Sequence, residues 1–141
     1  MSLNRDCSIL QSTYHNLITV CTASYPQEAC GILACSSHSA AIDIIIPITN
    51  AHPRPQRAFA FDPVEWTSVF FSMQKNRQQL VGFFHSHPAS APLPSPRDER
   101  GFLPQTGMSY WVISLMDEER PLVQPYRQLD GQFQAIPLML A

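Results

Sequence analysis

Charge is scarce in this sequence. Only 14% of the residues are Asp, Glu, Lys or Arg, and they balance to a net charge of −2. A chain of this kind has neither a basic field for nucleic-acid phosphates nor a polybasic run for an anionic membrane, so both are disfavoured as partners. Long apolar runs are missing as well. The N-terminal stretch, with Asn4, Arg5 and Asp6 ahead of Gln11, Ser12, His15 and Asn16, has no signal-peptide pattern, and no later run reaches membrane length. The expectation is a soluble, cytoplasmic protein. Four cysteines, Cys7, Cys21, Cys30 and Cys35, contain no C-x2-C pair. That disfavours a structural zinc knuckle and favours buried thiols. The H-x-E and P-C-x-x-C elements that nucleobase deaminases need are also absent.

What remains is apolar and patterned. With 141 residues the chain is expected to form one domain over 1–141, burying roughly two thirds of its unfolded surface. Ile9, Leu10, Thr13, Leu17, Val20 and Cys21 fall at helical spacing, which predicts an amphipathic helix from Asp6 to about Ser24, ending before Pro26. Ala29 to Cys35 and Ala40 to Ile46, separated by Ser36-Ser37-His38-Ser39, predict a β-hairpin. The segment from Pro47 to Arg57 is a loop rich in proline, histidine and arginine, read first as a solvated connector and alternatively as a substrate-facing wall whose Arg54 and Arg57 could hold a peptide carboxylate or backbone. Ala58 to Phe61 predicts a strand. Asp62-Pro63-Val64-Glu65 is a capping box opening a helix to about Arg77, with Trp66, Val69, Phe70 and Met73 as its core stripe. Ser109 to Met116 is a strong strand, and Leu122 to Leu129 with Gln132 to Leu138 flank the hairpin dipeptide Asp130-Gly131. The fold class is therefore α/β, a mixed and largely antiparallel sheet flanked by helices.

Chemistry concentrates in Val81-Gly82-Phe83-Phe84-His85-Ser86-His87-Pro88 and in Ser95 and Asp98 beyond it. The apolar run predicts a buried strand. Alternation along it sends His85 and His87 to one face, where both can reach one metal ion, while Phe84 and Ser86 point the other way. Adding Asp98 makes two imidazoles and a carboxylate, a zinc set that leaves the fourth position to water, as catalytic sites do. Ser95-Pro96-Arg97-Asp98 also has the form of a helix start, with Ser95 at the N-cap and Pro96 at the first helical position. Such a start is a rigid mount for Asp98.

The pattern H-x-H-x7-S-x2-D, read with Pro26-Gln27-Glu28-Ala29-Cys30-Gly31-Ile32-Leu33 upstream, resembles the JAMM (MPN+) zinc isopeptidases and peptidases, in particular their short bacterial members. The resemblance covers nearly the whole chain. It implies a cytidine-deaminase-like α-β-α sandwich, Zn2+ on His85, His87 and Asp98, Glu28 as proton acceptor and donor, and Ser95 as donor to the oxyanion. It also implies a substrate, an amide or isopeptide at the C-terminal tail of a ubiquitin-like or sulfur-carrier protein, or a short peptide. The alternative is a non-catalytic MPN scaffold, but such scaffolds characteristically lose metal ligands. Cys30, two residues from Glu28, is expected on the same face but further into the sheet, as a small apolar group.

Overall fold

The computed structural model describes residues 7–95 and 107–141. Their strands and helices follow in the order β1 (Cys7–Ile9), α1 (Gln11–Ser24), β2 (Cys30–Cys35), β3 (Ile44–Ile48), α2 (Pro63–Lys75), β4 (Gln79–His87), β5 (Ser109–Ser114), β6 (Leu122–Leu129), β7 (Gln132–Ala135) and β8 (Leu138–Leu140). Six strands form one sheet in the order β3-β2-β4-β5-β6-β7. β4 and β5 run parallel and every other neighbouring pair in it is antiparallel, so the expected mixed, largely antiparallel sheet is what forms.

Alternation along β2, β4 and β5 gives each face of this sheet its own core. Leu33, Phe84, Trp111 and Ile113 pack with Leu17 and Cys21 of α1. Ile32, Ala34, Ile48 and Phe83 pack with Trp66, Val69 and Met73 of α2. The two helices thus cover opposite faces, and β4 lies between β2 and β5, its last residues buried. Trp111, with no exposure, satisfies its indole N–H on Ser109 Oγ at 2.9 Å, and that hydroxyl donates to Val81 O at 3.0 Å. The buried ring therefore costs no unpaired donor.

Several boundaries differ from the sequence expectation, each for a tertiary reason. The first helix starts at Gln11 rather than Asp6, because Cys7–Ile9 pairs in parallel with Leu138–Leu140. Leu10 at the N-cap offers no side-chain cap, and Gln11 N–H instead donates to Ala141 O. In the segment expected as a strand from Ala40 to Ile46, Ile42 is drawn to β1: its N–H donates to Ser8 O and its carbonyl accepts from Leu10 N–H. The regular strand consequently begins at Ile44 and runs to Ile48. Ala58 to Phe61 is not a strand; its sheet contact is one bridge between Asn50 and Phe61. Past Gln132–Ala135, Pro137 has no N–H to extend the ladder, and Leu138–Leu140 leaves to pair with β1. The Asp130-Gly131 hairpin forms as read, with φ of 52° and 78°, the two positive values of a type I′ turn. The helix expected from Pro96 to Phe102 lies outside the described residues.

Asp62 caps α2 through Oδ1, which accepts from Val64 N–H and Glu65 N–H at 3.0 Å each. The other half of the expected box does not close. Glu65 Oε1 accepts instead from Thr49 N–H at 3.0 Å, tying the helix to the loop that precedes it.

Candidate metal centre

The site is built where the start of β2 meets the end of β4. Antiparallel register pairs Cys30 with His85, and Ser86 N–H donates to Ala29 O at 2.9 Å. Glu28 lies just before this paired stretch, and its backbone bonds to the loop between β3 and α2. Alternation along the paired strands sends Cys30, His85 and His87 to one face, the α2 side. All three, and Glu28, are buried.

His85 Nε2 and His87 Nε2 lie 3.1 Å apart. Two imidazole nitrogens bound tetrahedrally at the usual zinc distance would be about 3.3 Å apart, so the pair is already spaced for one ion. The tautomer also fits. His87 Nδ1 lies 2.9 Å from Ala91 O, and because a carbonyl only accepts, Nδ1 carries the proton and Nε2 keeps its lone pair for a metal. Phe59 stacks on His85 with ring centroids 4.6 Å apart and planes 23° from parallel, which fixes the imidazole plane.

The proline-rich loop after β4 is pinned to the sheet at several points. Besides the His87 bond to Ala91 O, Ser114 Oγ donates to Ser90 O at 2.6 Å and Tyr126 Oη donates to Pro92 O. Ser95, half-buried, follows this anchored stretch. Asp98 lies outside the described residues. Among the described residues no third His, Cys, Asp or Glu completes a metal-binding group with the histidines. The third ligand position is therefore left to Asp98 by the sequence alone.

Cys30 is buried as expected but lies directly across from His85 rather than deeper in the sheet. Its thiol donates to Ile48 O at 3.3 Å. Burial, and then the charges of Glu28 and Glu65, push it up to about 12, so it is a neutral thiol at physiological pH. Arg54 and Arg57 are exposed on the loop between β3 and α2, as expected. A cavity of about 300 Å³ includes Glu28, Cys30, Asn50 and Glu65 in its walls and neither histidine.

Sequence reasoning missed three residues that shape the site. Ser86, between the two histidines, has no exposure and accepts Ala29 N–H on Oγ at 2.8 Å, clasping the strand that carries Glu28 to the strand that carries the ligands. Phe59 was hidden in a segment that reads as a strand. Asn50 sits in a loop, where nothing but its residue type, a frequent former of side-chain to backbone bonds, could have singled it out.

The family model described as prokaryotic homologs of the JAB domain matches residues 10–127. The chain is 37% identical over 90 residues to the desampylase of Haloferax volcanii, an overlap of 63% of each chain. It is 32% identical over 107 residues to the CysO-cysteine peptidase of Mycobacterium tuberculosis, covering 76% of this chain and 72% of that one. The overlap with the desampylase is thus under two thirds of that relative's length. The solution structure of a protein from Desulfitobacterium hafniense has a TM-score of 0.82 and 26% identity, covering 96% of this chain and 92% of its own.

Proposed function

Since the chain belongs to the family of prokaryotic JAB-domain homologues, we propose that it is a zinc-dependent hydrolase of the JAMM type, folded as one domain over 1–141. Its substrate is an amide or isopeptide at the C-terminal tail of a ubiquitin-like or sulfur-carrier protein. Relatives named desampylase and CysO-cysteine peptidase support the substrate class. The observation that carries the reading is the pairing of two buried imidazoles whose Nε2 atoms are 3.1 Å apart, with a buried Glu28 just before the strand that pairs with theirs.

His85, His87 and Asp98 would hold the zinc. When bound, it supplies Lewis acidity, lowering the pKa of a coordinated water toward ~7 and polarising the scissile carbonyl. Glu28 accepts the proton of the attacking water on its carboxylate and returns it to the departing amine, so that the amine leaves neutral. The Ser95 hydroxyl donates to the oxyanion of the tetrahedral intermediate. Burial of Glu28 keeps bulk water from competing for that proton. A cytoplasmic location is part of this reading. Among the described residues no helix is long and apolar enough to cross a membrane.

The test uses a ubiquitin-like carrier joined through its C-terminal carboxyl to cysteine, with free cysteine as the readout. Glu28→Gln should keep about one zinc per chain while turnover falls roughly 10²–10⁴-fold. His85→Ala with His87→Ala should abolish zinc binding. Zinc retained in the double variant, or near-normal turnover in Glu28→Gln, overturns the assignment.

A further inference from the structure

Glu28 is not held by the sheet. Regular β2 begins at Cys30, and its pairing with β4 extends back only to Ala29, through Ser86. Both backbone polar groups of Glu28 turn instead toward the loop between β3 and α2. Its N–H donates to Pro55 O at 2.7 Å, and its carbonyl accepts from Asn50 Nδ2 at 3.0 Å.

Asn50 is the centre of that loop. Its amide nitrogen faces three carbonyls, those of Glu28 and Ala58 at 3.0 Å and Pro55 at 3.3 Å, and its amide oxygen faces two donors, His52 N–H at 3.0 Å and Ala60 N–H at 3.1 Å. Three acceptors on one side and two donors on the other fix which way the amide points. The ends of the loop close on each other: Ala51 N–H donates to Ala60 O at 2.8 Å and Asp62 N–H to Thr49 O at 3.1 Å. Residues 49–62 therefore form an Ω-like loop whose inside is filled by one carboxamide. The same loop carries Phe59, stacked on His85. One element thus touches both the backbone of Glu28 and the ring of His85.

We propose that Asn50 is the positioning residue for Glu28, setting the register of the loop and, through the Glu28 carbonyl and Pro55, the place of the carboxylate. The proposal rests on the reading of Glu28 as the proton acceptor. In this proposal Asn50 acts through the backbone of Glu28 and not on the reacting atoms. Its chemistry suits this task, because a side chain that both donates and accepts is needed and a carboxylate or alkyl group cannot replace it.

Asn50→Asp tests this with almost no change of volume. It keeps an oxygen for the two N–H donors but turns a second oxygen toward three carbonyls. In the otherwise unchanged zinc-loaded protein, cysteine release from the carrier adduct should fall about 10–100-fold in kcat, with KM and zinc content little altered. In the Glu28→Gln background the same substitution should cost nothing further, because there is no proton acceptor left to position. A separate readout needs no turnover. In the metal-free protein, amide exchange at Glu28 should accelerate at least tenfold in Asn50→Asp, while exchange at Ser86, whose N–H is bonded within the sheet, stays unchanged. If Asn50→Asp does not fold, Asn50→Ser, which retains one donor in less volume, is read in the same way. Equal losses in the two backgrounds, or an unchanged Glu28 amide, would overturn the proposal. Near-normal turnover in Glu28→Gln alone would sink the reading of Glu28 as base and leave the exchange result standing.

Discussion

Ser86→Ala removes one oxygen from the middle of the site strand, and its cost can be worked from the contacts. Ser86 has no exposure and Ala29 is 5% exposed. Deleting Oγ leaves the Ala29 N–H, now bonded at 2.8 Å, without an acceptor and shielded from water. An orphaned buried donor costs about 1–3 kcal/mol. The void left by one oxygen is small, and the partner bond from Ser86 N–H to Ala29 O remains, so the orphan dominates. For a domain of this size each kcal/mol moves Tm by roughly 2–4 °C, which puts the expected fall near 6 °C. The assay is urea and thermal unfolding of the metal-free protein followed by circular dichroism, so that metal linkage does not mask the change. Ser68→Ala, at an exposed position on α2, is the control and should shift stability by no more than about 0.5 kcal/mol. A urea midpoint for Ser86→Ala equal to the control, at unchanged m-value, would refute the reasoning.

The other predictions follow the same logic. Gly31→Ala should destabilise by about 3 kcal/mol or more, since its Cβ would stand 2.4 Å from Ile46 O and 2.5 Å from the buried ring of Phe84; a melting temperature within a degree of the parent would contradict this. Cys30 has its pKa raised from 9.0 to about 12 by burial and neighbouring carboxylates, so the unfolded chain loses that proton first as pH rises. Its contribution is intact below about pH 9 and is lost toward pH 12 at up to ~1.4 kcal/mol per pH unit. Cys30→Ala should flatten stability against pH across this window and leave zinc content unchanged; an unaltered slope or a loss of zinc would count against it. Ser95→Ala should keep zinc while kcat falls about 10²–10³-fold, and loss of the metal would mark Ser95 as a ligand instead.

Local patterns in the sequence determined the parts of this protein whose partners are near in the chain. Alternation put His85 and His87 on one face and Phe84 and Ser86 on the other; of the expected stripe, Trp66, Val69 and Met73 faced the core because helical spacing gathers them there, while Phe70 is 38% exposed. Asp62-Pro63 opened α2, and Asp130-Gly131 turned β6 into β7, because cap and turn geometry is set by the residues that occupy it. The joint spacing of Glu28, the two histidines, Ser95 and Asp98 pointed to the chemistry. Contacts between distant segments decided the rest. Ile42 went to β1 and Leu138–Leu140 left the hairpin for the same strand, since each found backbone partners there that no local pattern encodes. The hydroxyl of Ser86 reached Ala29 across 57 residues of chain. Asn50 reached Glu28 across 22, and Phe59 reached His85 only because the Ω-like loop folds back on itself. A sequence carries the identity of a hydrogen-bonding side chain but not the place to which the sheet brings its partner, and for that reason the candidate chemical groups could be named from the sequence while the contacts around them could not.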